Sequence, residues 1–272
     1  MGERAGKIFR VCKATMIDLH CHLLPGIDDG PPDIDGSIAM ARRALKAGIE
    51  TVVATPHVNS RYRNDPETIA AGVADVREAL AREQLDLDVR PGAEIAASYL
   101  AETDTSGIGA LSLGGGEWLL IEPPFATVAS GLVTTVQGLL WDGYRVVLAH
   151  PERCPAIHRD PSIVSRLVED GVLMSLTAGS LAGRFGSQAR RLAIALLREE
   201  MAHNVTSDSH DAGNRPPSIA PEVQQAGFGD LVGWLTEEVP AAILGGGPLP
   251  PRPPRASRGG LRARVGRALR RA

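Results

Sequence analysis

Seven times along this chain a short apolar run precedes a stretch whose apolar residues recur at helical spacing, and this alternation limits the fold more than any other feature. The runs are Met16-Ile-Asp-Leu, Ile49-Glu-Thr-Val-Val-Ala54, Leu85 to Arg90, Trp118-Leu-Leu-Ile-Glu122, Val146-Val-Leu-Ala, Val172-Leu-Met-Ser-Leu176 and His203-Asn-Val-Thr. Between them, Ile38, Met40, Ala41, Ala44 and Leu45 predict a helix with Asp35 near its N-cap and Gly48 as its stop. Asp65-Pro66-Glu67 opens a second, with Ile69, Val73, Val76 and Leu80 on one face. Further helices are predicted over 132–141, 161–170 and 187–201. Strands alternating with helices of roughly ten to fifteen residues give parallel βαβ units. Closed into a barrel, such units bring all strand C-terminal ends to one face, where active sites sit.

Six of the seven runs lead into a side chain able to bind a metal: His20 and His22, His57, Glu94, Glu122, His150, and Asp208 with His210. Only the run ending at Leu176 does not; it continues as Thr177-Ala-Gly-Ser180. On extended backbone, residues two apart face the same way, so His20 and His22 offer their imidazoles to one point and Cys21 turns away into packing. Asp28 and Asp29 follow across a Pro-Gly turn. A His-x-His pair alone is more often an ordinary loop feature; five of the seven histidines falling just past an apolar run, off any predicted helix, is the observation that changes the reading.

With Asp29 the candidate ligands number nine: His20, His22, Asp29, His57, Glu94, Glu122, His150, Asp208 and His210. That is too many for one ion and suits two or three divalent ions, with Glu94 as the candidate bridge. Imidazole and carboxylate without thiolate favour Mn, Fe, Zn or Co, with Mg also compatible. Neighbouring metals polarise a substrate oxygen and activate water, so hydrolysis of a phosphate ester is the natural task. Arg153, three residues beyond His150, and Arg215, five beyond His210, are placed to grip phosphate from the rim. Arg61, in the Arg61-Tyr62-Arg63 loop after His57, is a candidate contact to a protein substrate, and Asp28 a candidate general acid.

Other nucleophiles fit poorly. Cys154 and Arg159 bracket four residues where a cysteine phosphatase needs five, and no Gly-x-Ser-x-Gly elbow occurs. Gly114-Gly-Gly116 precedes a strand and not a helix, so it reads as a turn, not a phosphate cradle.

The chain of 272 residues, 43% hydrophobic and 22% charged, is long enough for one large α/β domain with a real core, and with only 4% aromatics that core is aliphatic. Three cysteines without a Cys-x-x-Cys pair argue against a disulfide framework and a thiolate site, and fit the cytoplasm. No apolar run approaches the roughly eighteen residues of a membrane span, and nothing calls for a nucleic-acid partner. Residues 1–15 hold four basic residues and no signal-peptide core; they read as an extension, with translation starting at Met1 or Met16. The domain itself is expected over 16–246. Residues 247–272 are expected to be a disordered Pro/Arg-rich tail. Residues 251–272 carry eight arginines and no acid against a formal net charge of −3, so the body is acidic and the basic tail is suited to an acidic partner or a membrane surface.

The motifs D-L-H-C-H-L-L-P-G-I-D-D-G, T-P-H, G-A-E, L-I-E, A-H-P-E-R and S-D-S-H, in this order, resemble the polymerase and histidinol phosphatase (PHP) superfamily. More narrowly, they resemble its bacterial protein-tyrosine phosphatases of capsule and exopolysaccharide synthesis, the CpsB type, from Met16 to about Leu244. The resemblance implies a distorted (β/α)7 TIM-like barrel and a trinuclear centre, usually manganese. It implies one ion on His20, His22, Glu94 and Asp208, a second on Glu94, Glu122 and His150, and a third on Asp29, His57 and His210, with Arg153 and Arg215 on the substrate phosphate. The implied activity is hydrolysis by metal-activated hydroxide of phosphotyrosine on a membrane-linked tyrosine autokinase. The Pro-Pro-Phe after Glu122 and the Asp at 211 depart from the usual pattern and bear on substrate choice. A small-molecule phosphoesterase of the histidinol phosphate kind and a non-catalytic scaffold using the basic tail are the alternatives.

Overall fold

In the computed structural model the described residues are 15–103, 105–126 and 131–254. They alternate strand and helix as the sequence predicts: β1 (Met16–Cys21), α1 (Ile34–Ala47), β2 (Ile49–Ala54), β3 (His57–Val58), α2 (Pro66–Arg82), β4 (Asp88–Pro91), β5 (Glu94–Ala96), α3 (Ala97–Leu100), β6 (Trp118–Glu122) and α4 (Leu132–Trp141). There follow β7 (Arg145–Ala149), α5 (Pro155–Arg159), α6 (Ser162–Glu169), β8 (Leu173–Thr177), α7 (Ala178–Leu181), α8 (Gly186–Arg198), β9 (Asn204–Thr206), α9 (Ala220–Gln225) and α10 (Val239–Gly245).

All strands pair in parallel, in a three-stranded sheet β1-β2-β4 and a six-stranded sheet β3-β5-β6-β7-β8-β9. Two of the seven expected strands are thus split. Pro56 has no N–H for a ladder, and its carbonyl accepts instead from Glu94 N–H (3.0 Å), so the chain changes sheet between β2 and β3. The companion break between β4 and β5 falls at Gly92, where a Cβ would lie 2.7 Å from Val53. First and last strands also meet. Asp208 N–H donates to His20 O and His22 N–H to Ser209 O, both at 2.9 Å, and buried Asp18 accepts from Ser207 N–H at 3.0 Å.

Helix ends follow local chemistry. The N-cap of α1 is Asp33, not Asp35: its carboxylate accepts from Gly36 N–H at 2.9 Å, while Gly48 ends the helix with φ 86°. Asp65 caps α2 by accepting from Thr68 N–H, and Ile69, Val73, Val76 and Leu80 form its buried face. The strand expected from Leu85 begins only at Asp88, because Leu85 N–H is still bonded to Leu80 O and pairing with β2 starts at Thr51. The Gly114–Gly116 turn lies at a short 3-10 helix (Leu113–Gly115) in which Gly114 and Gly115 have positive φ.

The core is aliphatic, built from residues such as Leu19, Val52, Val53, Ile95, Leu119, Leu120, Val147 and Leu148, all without exposed surface. Near the end of the described residues, the Arg252 guanidinium donates to Leu197 O (2.7 Å) and Ala202 O (3.2 Å) and lies 5.3 Å from the Trp234 ring. Residues 1–14 and 255–272, with most of the extension and the arginines of the tail, lie outside the described residues. No helix among those described is long and apolar enough to cross a membrane.

Candidate metal centre

The strand ends deliver their side chains to one place. Alternation on β1 turns His20 and His22 to the same side, with their Nε2 atoms 3.2 Å apart, and Cys21 the other way, its Sγ 3.0 Å from Ser209 Oγ. The following loop folds back tightly: a Cβ on Gly30 would lie 2.6 Å from the His22 carbonyl. That fold seats Asp28 behind His22. Asp28 Oδ2 accepts from His22 Nδ1 (2.7 Å) and His57 N–H (3.1 Å), and Oδ1 from Gly30 N–H (2.8 Å). Half-exposed Asp29 instead reaches inward, with Oδ1 3.4 Å from both His57 Nε2 and His210 Nε2.

Glu94, the first residue of β5, is at the centre. Its Oε1 accepts from His150 Nε2 at 2.7 Å. Around Oε2 stand His57 Nδ1 at 3.0 Å, His20 Nε2 at 3.2 Å and His22 Nε2 at 3.3 Å. Yet Glu94 Oε2 and His57 Nδ1 are buried without a hydrogen bond, as are His20 Nδ1 and His150 Nδ1. Buried polar atoms left in this way are costly, and lone pairs aimed at one another in a dry site are satisfied by cations. The donor set fits divalent metal.

Four groups have ligand atoms within 4.8 Å of one another: His22–Asp29–His57–His210, His20–His22–Asp208, His20–Glu94–His150 and His57–Glu94–Glu122. All nine expected ligands are included. The implied partition is blurred, since His22 also joins the Asp29, His57 and His210 group, and His57 also faces Glu122. Glu94 belongs to two groups, as do His20, His22 and His57.

Electrostatics agree with a cation-binding cluster. Burial, reinforced by the charge of Glu94, pushes Glu122 up to about 8. Burial opposes charge on His22, but its hydrogen bond to Asp28 and the negative charges of Asp28 and Glu94 outweigh it and raise it to about 10. Burial and the Arg153 charge lower His150 to about 4, leaving a neutral imidazole. Among the described residues, two of the four non-glycine residues with positive φ are expected ligands, His150 (31°) and Asp208 (50°), each held by a backbone bond to the adjacent strand. Strained backbone at such positions aims side chains that ordinary geometry would misplace.

Both expected arginines reach the cavity. Arg153 and Arg215 donate to Asp208 Oδ2, the latter at 2.8 Å, and Arg215 also to Asp208 O at 3.0 Å. Burial would raise Asp208, but His20, His150 and these guanidiniums hold it well below the usual carboxylate range. Asp211 organises the Arg215 loop, accepting from the N–H groups of Gly213, Asn214 and Arg215. The cavity enclosed is about 150 Å³, and nine of its ten lining residues are ionisable; the tenth is Phe125.

The Asp28 side chain is 1% exposed and both its oxygens accept protein N–H groups, a placement that orients His22. Arg61 does not line the cavity; its guanidinium lies 4.9 Å from the Tyr62 ring, and it is Tyr62 that stacks on His57, at 5.9 Å and 8°. Residues not anticipated include buried Glu152, which takes the Thr177 N–H at 3.0 Å and ties the end of β7 to that of β8. Phe185 was also missed, and Arg153 and Arg215 rest on it, at 4.2 and 5.6 Å. The only available signal for Glu152 was its place beside His150 and Arg153; Phe185 left none.

The chain is 40% identical over 201 residues to tyrosine-protein phosphatase YwqE of Bacillus subtilis, covering 74% of this chain and 79% of the relative. It is 28% identical over 208 residues to tyrosine-protein phosphatase CpsB of Streptococcus pneumoniae, covering 74% and 86%. A crystal structure from work on YwqE and CpsB, described as metal-dependent tyrosine phosphatases, superposes with TM-score 0.78 at 35% identity, over 89% of this chain and 100% of that one. Histidinol phosphate phosphatase of Lactococcus lactis shares the fold, with TM-score 0.52 at 12% identity over 79% of this chain and 94% of that one. The family described as capsular polysaccharide synthesis, CpsB/CapC, matches residues 16–226, a span that contains all nine converging donors and both rim arginines. By that match, the chain belongs to the CpsB/CapC family of capsular polysaccharide synthesis.

Proposed function

We propose that this chain is a metal-dependent protein-tyrosine phosphatase. The observation that carries the reading is Glu94 Oε2, buried without a hydrogen bond and faced by three imidazole nitrogens, beneath two guanidiniums at the cavity rim. The names of the relatives support phosphotyrosine as substrate. Residues 16–246 are the catalytic domain, and contacts between its first and last strands support a distorted seven-stranded barrel. His20, His22, Asp29, His57, Glu94, Glu122, His150, Asp208 and His210 would hold three divalent ions, manganese first among the candidates. Bound there, such ions supply Lewis acidity and an activated water.

The chain's own residues do the rest. Asp28 fixes the His22 ring so that Nε2 faces inward, and neutral His150 keeps a lone pair for binding. Arg153 and Arg215, 17% and 29% exposed, neutralise the phosphoryl oxygens as charge develops on them. The leaving phenolate, with a pKa of about 10, needs little help from an acid. The substrate is phosphotyrosine on a tyrosine autokinase of capsule or exopolysaccharide synthesis, met in the cytoplasm, with the basic tail free to contact an acidic partner or membrane surface.

The test is hydrolysis of a phosphotyrosine peptide and of histidinol phosphate by metal-stripped protein resupplied with Mn²⁺, beside His20→Ala. Metal-dependent turnover of the peptide, lost in the variant, is expected. Turnover of histidinol phosphate alone would replace the reading by a small-molecule phosphoesterase.

A further inference from the structure

The catalytic cavity suits a phosphoryl group and little else. It encloses about 150 Å³, and among the described residues Phe125 is its only non-ionisable wall. An aryl phosphate must therefore project its ring across the mouth. Phe125 sits at that mouth and is 54% exposed. It also lines an adjoining open groove of about 500 Å³ that runs past Arg153 to the start of α8.

The ring of Phe125 is held from one side. His150 lies beneath it, with centroids 5.7 Å apart and planes at 28°, and the Arg153 guanidinium lies at 5.3 Å. Just over half of its surface, 54%, is exposed. Phe185, the other aromatic beside Arg153, is differently placed: it packs so closely on Gly179 that a Cβ there would lie 2.9 Å from its ring, and it supports both arginines from behind. One phenylalanine is a prop. The other offers a free apolar face at the point where the substrate ring leaves the charged cavity.

Building on the phosphatase reading, we infer that Phe125 is the platform for the aromatic ring of the substrate and selects aryl over alkyl phosphate esters. The phosphoryl group enters the cavity, the ring lies against Phe125, and the flanking peptide continues into the groove over α8. Aromatic pairs prefer offset or edge-on contact, and the open face leaves room for either. A phosphorylated serine has no ring to place there.

The contact is measured without turnover by titrating Mn²⁺-loaded full-length protein with phenylphosphonate and with methylphosphonate, which share a headgroup and differ in the ring. Wild type is expected to bind the phenyl compound more tightly. Phe125→Ala is expected to lower that preference roughly five- to tenfold, the scale of an aromatic contact, and Phe125→Tyr to retain it. The inference is overturned by an equal loss of affinity for both phosphonates in Phe125→Ala, which would mean that Phe125 acts only through Arg153. An unchanged preference, or wild type that binds neither compound or shows no preference, also overturns it. Peptide hydrolysis by the same preparations reports on the phosphatase reading separately: no turnover despite a phenyl preference that depends on Phe125 would count against that reading and not against the ring contact.

Discussion

Each end of the strand array holds a histidine beside an arginine, buried His150 at one and half-buried His203 at the other, and the two pairs behave differently. At the C-terminal ends, burial and Arg153 lower His150 to about 4; at the N-terminal ends, burial and Arg252 lower His203 to about 4 as well. His203 has a plain structural role, since its Nδ1 accepts from Met174 N–H at 3.1 Å, and Arg252 pins the end of the domain to Leu197 and Ala202. His150 instead shares Glu94 with three other imidazoles, around a carboxylate oxygen that no hydrogen bond satisfies. A histidine with a depressed pKa is therefore no marker of function. Convergence of several donors on an unsatisfied acceptor is.

The contrast predicts activity effects at one end and stability effects at the other. The largest expected effect is at Glu94. Glu94→Gln keeps the shape but removes the charge, so kcat falls by at least about 10²–10³-fold, the scale of losing one group preorganised to stabilise charge. Bound metal per chain, measured by elemental analysis, falls with it, and a variant that kept both full metal and full turnover would remove Glu94 from the centre. Arg215→Ala comes next, with kcat down roughly 10²-fold on a phosphotyrosine peptide while metal content holds; loss of metal instead would show that its grip on Asp208 is what matters.

Asp28 separates orientation from proton transfer. Asp28→Asn weakens metal affinity about 10–100-fold, as removing the partner of a ligating histidine does, and the pH–rate profile keeps its shape. A limb disappearing from that profile would mark Asp28 as the general acid.

The opposite end answers in stability. His203 is neutral in the fold, so between pH 6.5 and about 4 the unfolded chain binds its proton more readily. The contribution is present above pH 6.5, is lost as pH falls through that window, and is constant below it. Urea unfolding at pH 7 and pH 4.5 should show wild type losing about 1–2 kcal/mol more than His203→Asn on acidification. Equal losses would mean that the proton finds His203 without breaking the Met174 bond.

The order of elements and the identity of the nine donors are legible because both rest on local chemistry. Apolar runs alternate with helical spacing, Asp65 and Pro66 open α2 as their types require, and β1 turns His20 and His22 one way by strand geometry alone. Asp33 took the cap from Asp35 because which carboxylate reaches a free N–H depends on where the loop after Gly30 turns. Asp28 and Asp29 are adjacent in sequence and equal in chemistry, yet one is sealed behind His22 and the other is half exposed toward His57 and His210. Strand spacing carries no information on that choice.

What the sequence determined by itself, then, is a parallel α/β chain with imidazoles and carboxylates at its strand ends, since periodicity and residue type act over a few residues. Tertiary structure alone decided the rest: Glu94 at the centre of the histidines, Asp208 under both arginines, Phe185 behind them and Phe125 at the mouth. These relations join residues as much as 74 positions apart, as with His20 and Glu94. Such distances are set by how the strands stack in register, a property of the assembled sheets and of no single segment.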